Sequence, residues 1–188
     1  MKRFFTVVFV AAMLFPLHFS PWTSAVQSEL PFPAYGKGPI DVRLYSNLFC
    51  GPCRSLEPKL EPILKDLIDR DIIRLTLVDV PGSVTYSNFF LYALKAENTF
   101  DRALHVRKIL FEAARSKEAQ TEEALKRLFE EKGIDYEIFD APILYPYFNR
   151  LIKNDELTST PTLVIIKRGE KKKYTGKKSI IGALEELR

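Results

Sequence analysis

The sequence predicts an α/β protein, one β-sheet covered by helices on both faces. Three observations predict it. Short apolar, β-branched runs at Ile72 to Val80 and Thr162 to Lys167 read as strands. Segments with apolar residues at helical spacing lie between and after them. The order strand, helix, strand, helical block, strand, strand, helix is that of a layered α/β domain. The chain has 188 residues, 46% of them hydrophobic and 28% charged, enough for one globular domain with a real core.

The chain opens with basic Lys2 and Arg3, then an uncharged, largely apolar run from Phe4 to Phe15. Pro16 and Pro21 follow, and Thr23-Ser24-Ala25 offers small residues where a signal peptidase reads. Residues 1–25 are therefore expected to be a cleaved signal peptide, placing the mature protein in a periplasmic or other extracytoplasmic compartment. A retained membrane anchor is the alternative, although the run is shorter than the ~20 residues needed to span a bilayer. No cysteine follows the run to carry a lipid. Residues 26–38, with Pro31, Pro33, Gly36 and Gly38, read as a linker or irregular lead-in.

The folded part is expected over 39–188. Ile40 to Tyr45 alternates in part and predicts a strand, and Asn47-Leu48-Phe49 carries it onward. From Cys50 to about Ile68, Leu56, Leu60, Ile63, Leu64, Leu67 and Ile68 fall at helical spacing. Pro58 and Pro62 inside that pattern each remove a backbone donor and are expected to bend it. Ile72 to Val80 is a strand that Pro81-Gly82 stops. A helical block of about 86–157 follows, with helices over Asn88 to Ala96, Asp101 to Ala114, Glu122 to Glu131 and Pro146 to Asp155. Gly133 ends the third and Pro146 suits the first turn of the fourth. Thr162 to Lys167 is the next strand, and Lys171 to Thr175 returns as its hairpin partner after Gly169-Glu170. Ser179 is a candidate cap for a last helix, Ile180 to Leu187.

The formal net charge is +4. Cleavage after Ala25 would remove Lys2 and Arg3 and leave +2, so overall charge gives no reason to expect a nucleic-acid partner. The only two cysteines are Cys50 and Cys53, in Cys50-Gly51-Pro52-Cys53, where a strand gives way to a helix. Two thiols at that spacing can close a small disulfide and pass it on by exchange. A purely structural bridge there would close almost no loop and constrain the unfolded chain little. A lone C-x-x-C is also half of a metal site.

The residues now carry a resemblance. Cys50-Gly51-Pro52-Cys53, followed by Arg54 and Pro58, resembles the active-site segment of the thioredoxin superfamily. Thr160-Pro161-Thr162, directly before a strand and its hairpin, resembles that superfamily's cis-proline loop. From Cys50 to Pro161 is 111 residues. The helical block that fills this separation resembles the DsbA-like branch of exported thiol–disulfide oxidoreductases rather than plain thioredoxin. The resemblance runs from about Ile40 to the C-terminus. It implies a thioredoxin fold, a mixed sheet flanked by helices, with an inserted all-helical subdomain. It implies Cys50 as nucleophile, Cys53 as resolving thiol, and Thr160 with Pro161 as the loop that holds an extended substrate. It calls for no cofactor and no metal. Its partners are exported proteins with cysteines and a membrane redox protein that resets the disulfide.

Position supports the chemistry. At a helix N-terminus, Cys50 meets unpaired backbone N–H groups and the positive end of the helix dipole, and both favour thiolate over thiol. Cys53, one turn in, is expected to be shielded. Several residues depart from the DsbA-like pattern. Gly51-Pro52 resembles thioredoxin, where DsbA-type enzymes typically carry a histidine, and predicts a weaker oxidant. Leu44, six residues before Cys50, stands where both relatives carry a buried acid. Asp41 and Asp79 are candidates to replace it, and both also read as ordinary strand-end residues. Phe49 replaces a tryptophan common in thioredoxin and reads as an apolar wall beside the site.

Elsewhere the pattern is plainer. His105 lies in a helix and reads as a surface or packing residue. Phe89, Phe90, Tyr92 and Leu94 read as core. Lys167, Arg168, Lys171, Lys172, Lys173, Lys177 and Lys178 make a basic hairpin region, a solvated edge or a contact for an anionic membrane or acidic partner. The function expected is thiol–disulfide exchange with other exported proteins. The alternatives are a reductase or isomerase, for example one serving cytochrome maturation, a metal-binding C-x-x-C module, and a non-catalytic peptide-binding domain.

Overall fold

The structure, a computed structural model, describes residues 32–117, 119 and 121–188. The expected signal peptide and the start of the lead-in lie outside the described residues. Five strands form one mixed sheet: β1 (Ala34–Tyr35), β2 (Ile40–Ser46), β3 (Ile73–Asp79), β4 (Thr162–Lys167) and β5 (Glu170–Thr175), in spatial order β1-β3-β2-β4-β5. The helices are α1 (Gly51–Asp69), α2 (Val84–Ala96), α3 (Phe100–Ala113), α4 (Glu122–Glu131), α5 (Tyr145–Asn154) and α6 (Lys177–Glu185). Strand β2 runs parallel to β3, with α1 as the crossover, and antiparallel to β4. Helices α2 to α5 are the insertion between β3 and β4.

Alternation along β2 sends its residues to two faces. Val42 and Leu44 join the core that α1 buries through Cys53, Leu56, Leu60, Ile63, Leu64 and Leu67. Each such leucine contributes about 1.5–3 kcal/mol by leaving water. Helix α6 packs beside α1, adding Ile180, Ala183 and Leu184. Arg43 and Tyr45 point the other way, and both bond Asp155 at the end of α5. The sheet is thus covered on both faces. Within the insertion, Phe89 meets the rings of Tyr92, Phe129 and Tyr136, so the expected aromatic stripe is core.

Helix α1 runs unbroken through Pro58 and Pro62. Both prolines sit on its exposed side, where water can take the carbonyls they leave unpaired. The irregular lead-in expected over 26–38 contains the short strand β1, paired antiparallel with β3. Its length hid it, since two residues show no periodicity. Gly36 (φ +82°) makes the next turn, and a Cβ there would lie 2.4 Å from the Ile73 carbonyl oxygen.

The last helix begins two residues before Ser179, which therefore does not cap it. Gly176 (φ +80°) takes the N-cap position, its carbonyl accepting the Ile180 N–H at 3.1 Å. Helix α2 begins four residues before the expected Asn88, because its first turn carries no apolar stripe to reveal it. A short 3-10 turn at Ala141–Leu144 precedes α5 and was not foreseen. Gly133 (φ +62°) follows the last turn of α4 as expected. Among the described residues no helix is long and apolar enough to cross a membrane.

Candidate active site

The turn from β2 into α1 presents the first cysteine. Asn47 builds that turn twice over. Its side-chain oxygen accepts the Phe49 N–H at 2.7 Å, and its carbonyl accepts the Cys50 N–H at 2.9 Å. Cys50 is then the N-cap of α1, with extended backbone (φ −83°, ψ 111°), and its Sγ accepts the Cys53 N–H at 3.2 Å. A sulfur here replaces the oxygen that usually caps a helix. The same Sγ lies 3.5 Å from the Thr160 carbonyl oxygen, to which the thiol donates.

The two thiols differ in access. Cys50 is half-buried and Cys53 is 2% exposed. The Cys53 thiol is pushed up to about 12, first by burial and then by its bond with the Cys50 sulfur, while the Asn47 backbone and the Thr160 hydroxyl pull it back.

The second strand of the site comes from the far end of the insertion. The Thr160–Pro161 peptide bond is cis, and Pro161 is buried. The Thr162 hydroxyl holds the loop from inside by donating to the Ser159 carbonyl at 2.8 Å. The Pro161 carbonyl accepts the Gly176 N–H at 3.2 Å, tying the loop to the start of α6. Phe49 stands beside the site with its ring 4.9 Å from that of Tyr86. Gly51 has open space where a Cβ would be, and Pro52 is exposed. The structure therefore brings Phe49, Cys50, Gly51, Pro52, Cys53, Thr160 and Pro161 together.

Leu44 is core, 2% exposed, and brings no acid beneath the thiols. Asp41 pairs with Arg74 at 2.6 Å near the start of β2, the end away from Cys50. Asp79 differs. Its Oδ2 accepts from the Ser87 hydroxyl at 2.6 Å, and its Oδ1 is shut from solvent with no hydrogen-bond partner. Burial pushes its carboxyl up to about 6, against the pull of Ser87 and Arg107. Sequence reasoning missed Asn47, Glu57 and Arg107. Asn47 had a readable signal, an Asx-turn residue two before Phe49. Arg107 had one too, since it falls four residues after Ala103 and four before Phe111 on the apolar side of α3, while Glu57 had none.

Two of the hairpin lysines do work on the protein itself. Lys171 reaches Asp155 at 2.8 Å, and Lys173 reaches the Asp155 and Glu156 carbonyls at 2.9 and 2.8 Å, closing the C-terminus of α5. His105 is exposed on α3. Among the described residues no group of three or more His, Cys, Asp or Glu side chains gathers as a metal would need.

The signature of the thioredoxin family matches residues 35–181. Solved structures share the fold at low identity. An alpha-DsbA1 of Wolbachia pipientis is 16% identical, with a TM-score of 0.62 over 83% of this chain and 90% of that one. A putative protein-disulfide isomerase from Pseudomonas syringae is 15% identical, with a TM-score of 0.64 over 83% and 97%. The catalytic domain of Proteus mirabilis ScsC is 14% identical, with a TM-score of 0.60 over 84% and 89%. No curated protein matches the sequence.

Proposed function

The chain belongs to the thioredoxin family, and from that membership we propose that it is an extracytoplasmic protein disulfide oxidoreductase working through Cys50 and Cys53. The single observation that carries this reading is the half-buried Cys50 sulfur at the head of α1, 3.5 Å from the Thr160 carbonyl, with a buried second thiol one turn behind. One sulfur is open to a partner and the other can be reached only from within, as sequential exchange requires.

In the reducing direction the Cys50 thiolate attacks a substrate disulfide and expels one substrate thiolate. Cys53 then attacks Cys50, the internal disulfide forms, and the second substrate sulfur leaves. The oxidising direction reverses each step. An extended substrate would lie along the Thr160–Pro161 loop, whose edge faces Cys50. Gly51 and Pro52 place no charge between the thiols, which supports a weaker oxidant than a histidine-bearing pair. The uncharged run at Phe4 to Phe15 and the DsbA-like fold support an exported location, substrates among exported proteins, and a membrane protein that resets the pair.

The test is disulfide exchange by the purified protein on a reduced or oxidised cysteine-bearing protein, compared with Cys50→Ser and Cys53→Ser. Cys50→Ser should abolish exchange, and Cys53→Ser should accumulate a mixed disulfide with the substrate. Full activity of Cys50→Ser would overturn the reading. The reduction potential of the pair against glutathione then assigns the direction, since a value near thioredoxin's marks a reductase.

A further inference from the structure

A buried charge cluster between α1 and α3 has no part in the exchange steps just described. Arg107, on α3 of the insertion, is 1% exposed. Its guanidinium grips both carboxylate oxygens of Glu57, with Nη2 2.9 Å from Oε2, and Nη2 also donates to the Ser46 hydroxyl at 2.8 Å. The rings of Phe90 and Phe111 lie 5.9 and 5.3 Å from its central carbon and exclude water. Its Nη1 is buried with no hydrogen-bond partner.

The residue that holds this cation belongs to the same helix as the resolving thiol. Glu57 follows Cys53 by four residues in α1, which places the two side chains on one face. A thiolate formed at the enclosed Cys53 must find a positive charge or stay unformed, because burying a lone anion is costly. Burial disfavours the Arg107 charge, and Glu57 first, then Asp79 and Cys53, favour it.

We propose that Arg107 is a positioning residue for Cys53: a buried cation, supplied by the helical insertion and anchored by Glu57, that stabilises the Cys53 thiolate whenever exchange produces it. The proposal rests on the exchange function above. Cys50, Asn47 and Thr160 act on the Cys53 thiol directly, while Glu57 on its own helix and Asp79 from β3 share the Arg107 charge with it. In the reducing direction Cys53 loses its proton and its sulfur attacks Cys50. The Cys50–Cys53 bond forms, the Cys50–substrate bond breaks, and the departing substrate thiolate takes up a proton. Two electrons pass from the cysteine pair to the substrate sulfurs. In the oxidising direction Cys53 is the leaving thiolate. Arg107 thus favours both directions.

The Arg–Glu pair makes opposite predictions for its two members. Removing Arg107 removes the charge that helps Cys53. Removing the Glu57 charge leaves Arg107 less neutralised, so more of its charge acts on Cys53. The experiment mixes the reduced full chain with a chromogenic aromatic disulfide, whose two thiolates are released in turn by Cys50 and then by Cys53. The second phase, followed against pH, reads Cys53. Arg107→Met should slow it roughly tenfold, about 1.4 kcal/mol, and Glu57→Gln should speed it. Arg107→Lys should fall between wild type and Arg107→Met, and the Arg107→Met, Glu57→Gln double variant, which buries no net charge, should be slow. Circular dichroism checks each fold. If Arg107→Met does not fold, the double variant and Glu57→Gln decide. An unchanged second phase, or a shift of the same sign in both, overturns the proposal. This readout needs only the two thiols, so it separates from a failure of the protein-exchange assay.

Discussion

The sulfur of Cys50 lies 3.5 Å from the carbonyl oxygen of Thr160, 110 residues further along the chain. The whole helical insertion lies between them in sequence, and the β2–β4 pairing brings them together, with Tyr45 opposite Thr162. This contact is made by backbone, so it survives a side-chain change at Thr160. The Thr160 hydroxyl instead acts on Cys53 and holds its thiol down. Thr160→Val should keep the fold and slow the reaction of Cys53 roughly fivefold, the worth of one hydrogen bond of about 1 kcal/mol. The rate of the second thiol in the aromatic-disulfide reaction measures it.

Gly82 is packed against the turn that presents Cys50. A Cβ there would lie 2.7 Å from the Asn47 side-chain oxygen and 3.0 Å from the Phe49 ring. That oxygen is held by the Phe49 N–H and cannot swing away freely. Gly82→Ala should cost about 1–2 kcal/mol and lower the exchange rate by loosening the turn, seen as a lower urea midpoint with slower turnover. Gly51→Ala is the control. Its Cβ meets open space, so stability should hold or rise by a few tenths of a kcal/mol.

Asp79 gives the protein a pH dependence of known sign. Its carboxyl is pushed up to about 6 in the fold, against about 4 in the unfolded chain. The folded state therefore holds the proton more tightly between these values. Its contribution to stability is fully present below about pH 4, falls as pH rises to about 6, and is flat above. The charged form costs on the order of 3 kcal/mol at neutral pH. Asp79→Asn should be more stable than wild type at pH 7.5, and the difference should vanish near pH 4. Urea denaturation of both proteins at the two pH values checks this.

Asp155 has the opposite sign. Burial raises its carboxyl, but bonds from Lys171, Tyr45 and Arg43 outweigh burial and hold it below the ordinary carboxylate range. Its stabilisation is present above about pH 4 and is lost as pH falls through its lowered value. The side chain is fully enclosed. Asp155→Ala would leave the buried Tyr45 hydroxyl without its partner and should cost about 1–3 kcal/mol at neutral pH, measured by thermal or urea unfolding. It should also loosen α5 from the sheet, visible as faster amide exchange across 145–154.

Much of the fold was legible because its elements carry strong local signals. The stripe in α1 and the β-branched runs of β3 and β4 matched their periods to within a residue or two. The pair Cys50–Cys53 and the Thr160–Pro161 segment were legible because few other sequences place such residues so. Strand β1 was not, since two residues have no period and pair only because β3 is there. Ser179 misled because a capping residue was read without seeing that Gly176, with its left-handed backbone, turns the chain into the helix first.

By itself the sequence determined the longer strands and helices, the thiol pair at a helix start, and the length of the insertion, because propensity, periodicity and spacing act between near neighbours. Only the tertiary structure decided what lies beneath the thiols. Leu44 provides no acid there, and a buried ion pair of the fold joins Arg107 on the insertion to Glu57 on α1. Which partner a buried charged side chain finds depends on the helix that covers it, and that is a long-range outcome of packing; the apolar stripe around Arg107 marks only that it is covered.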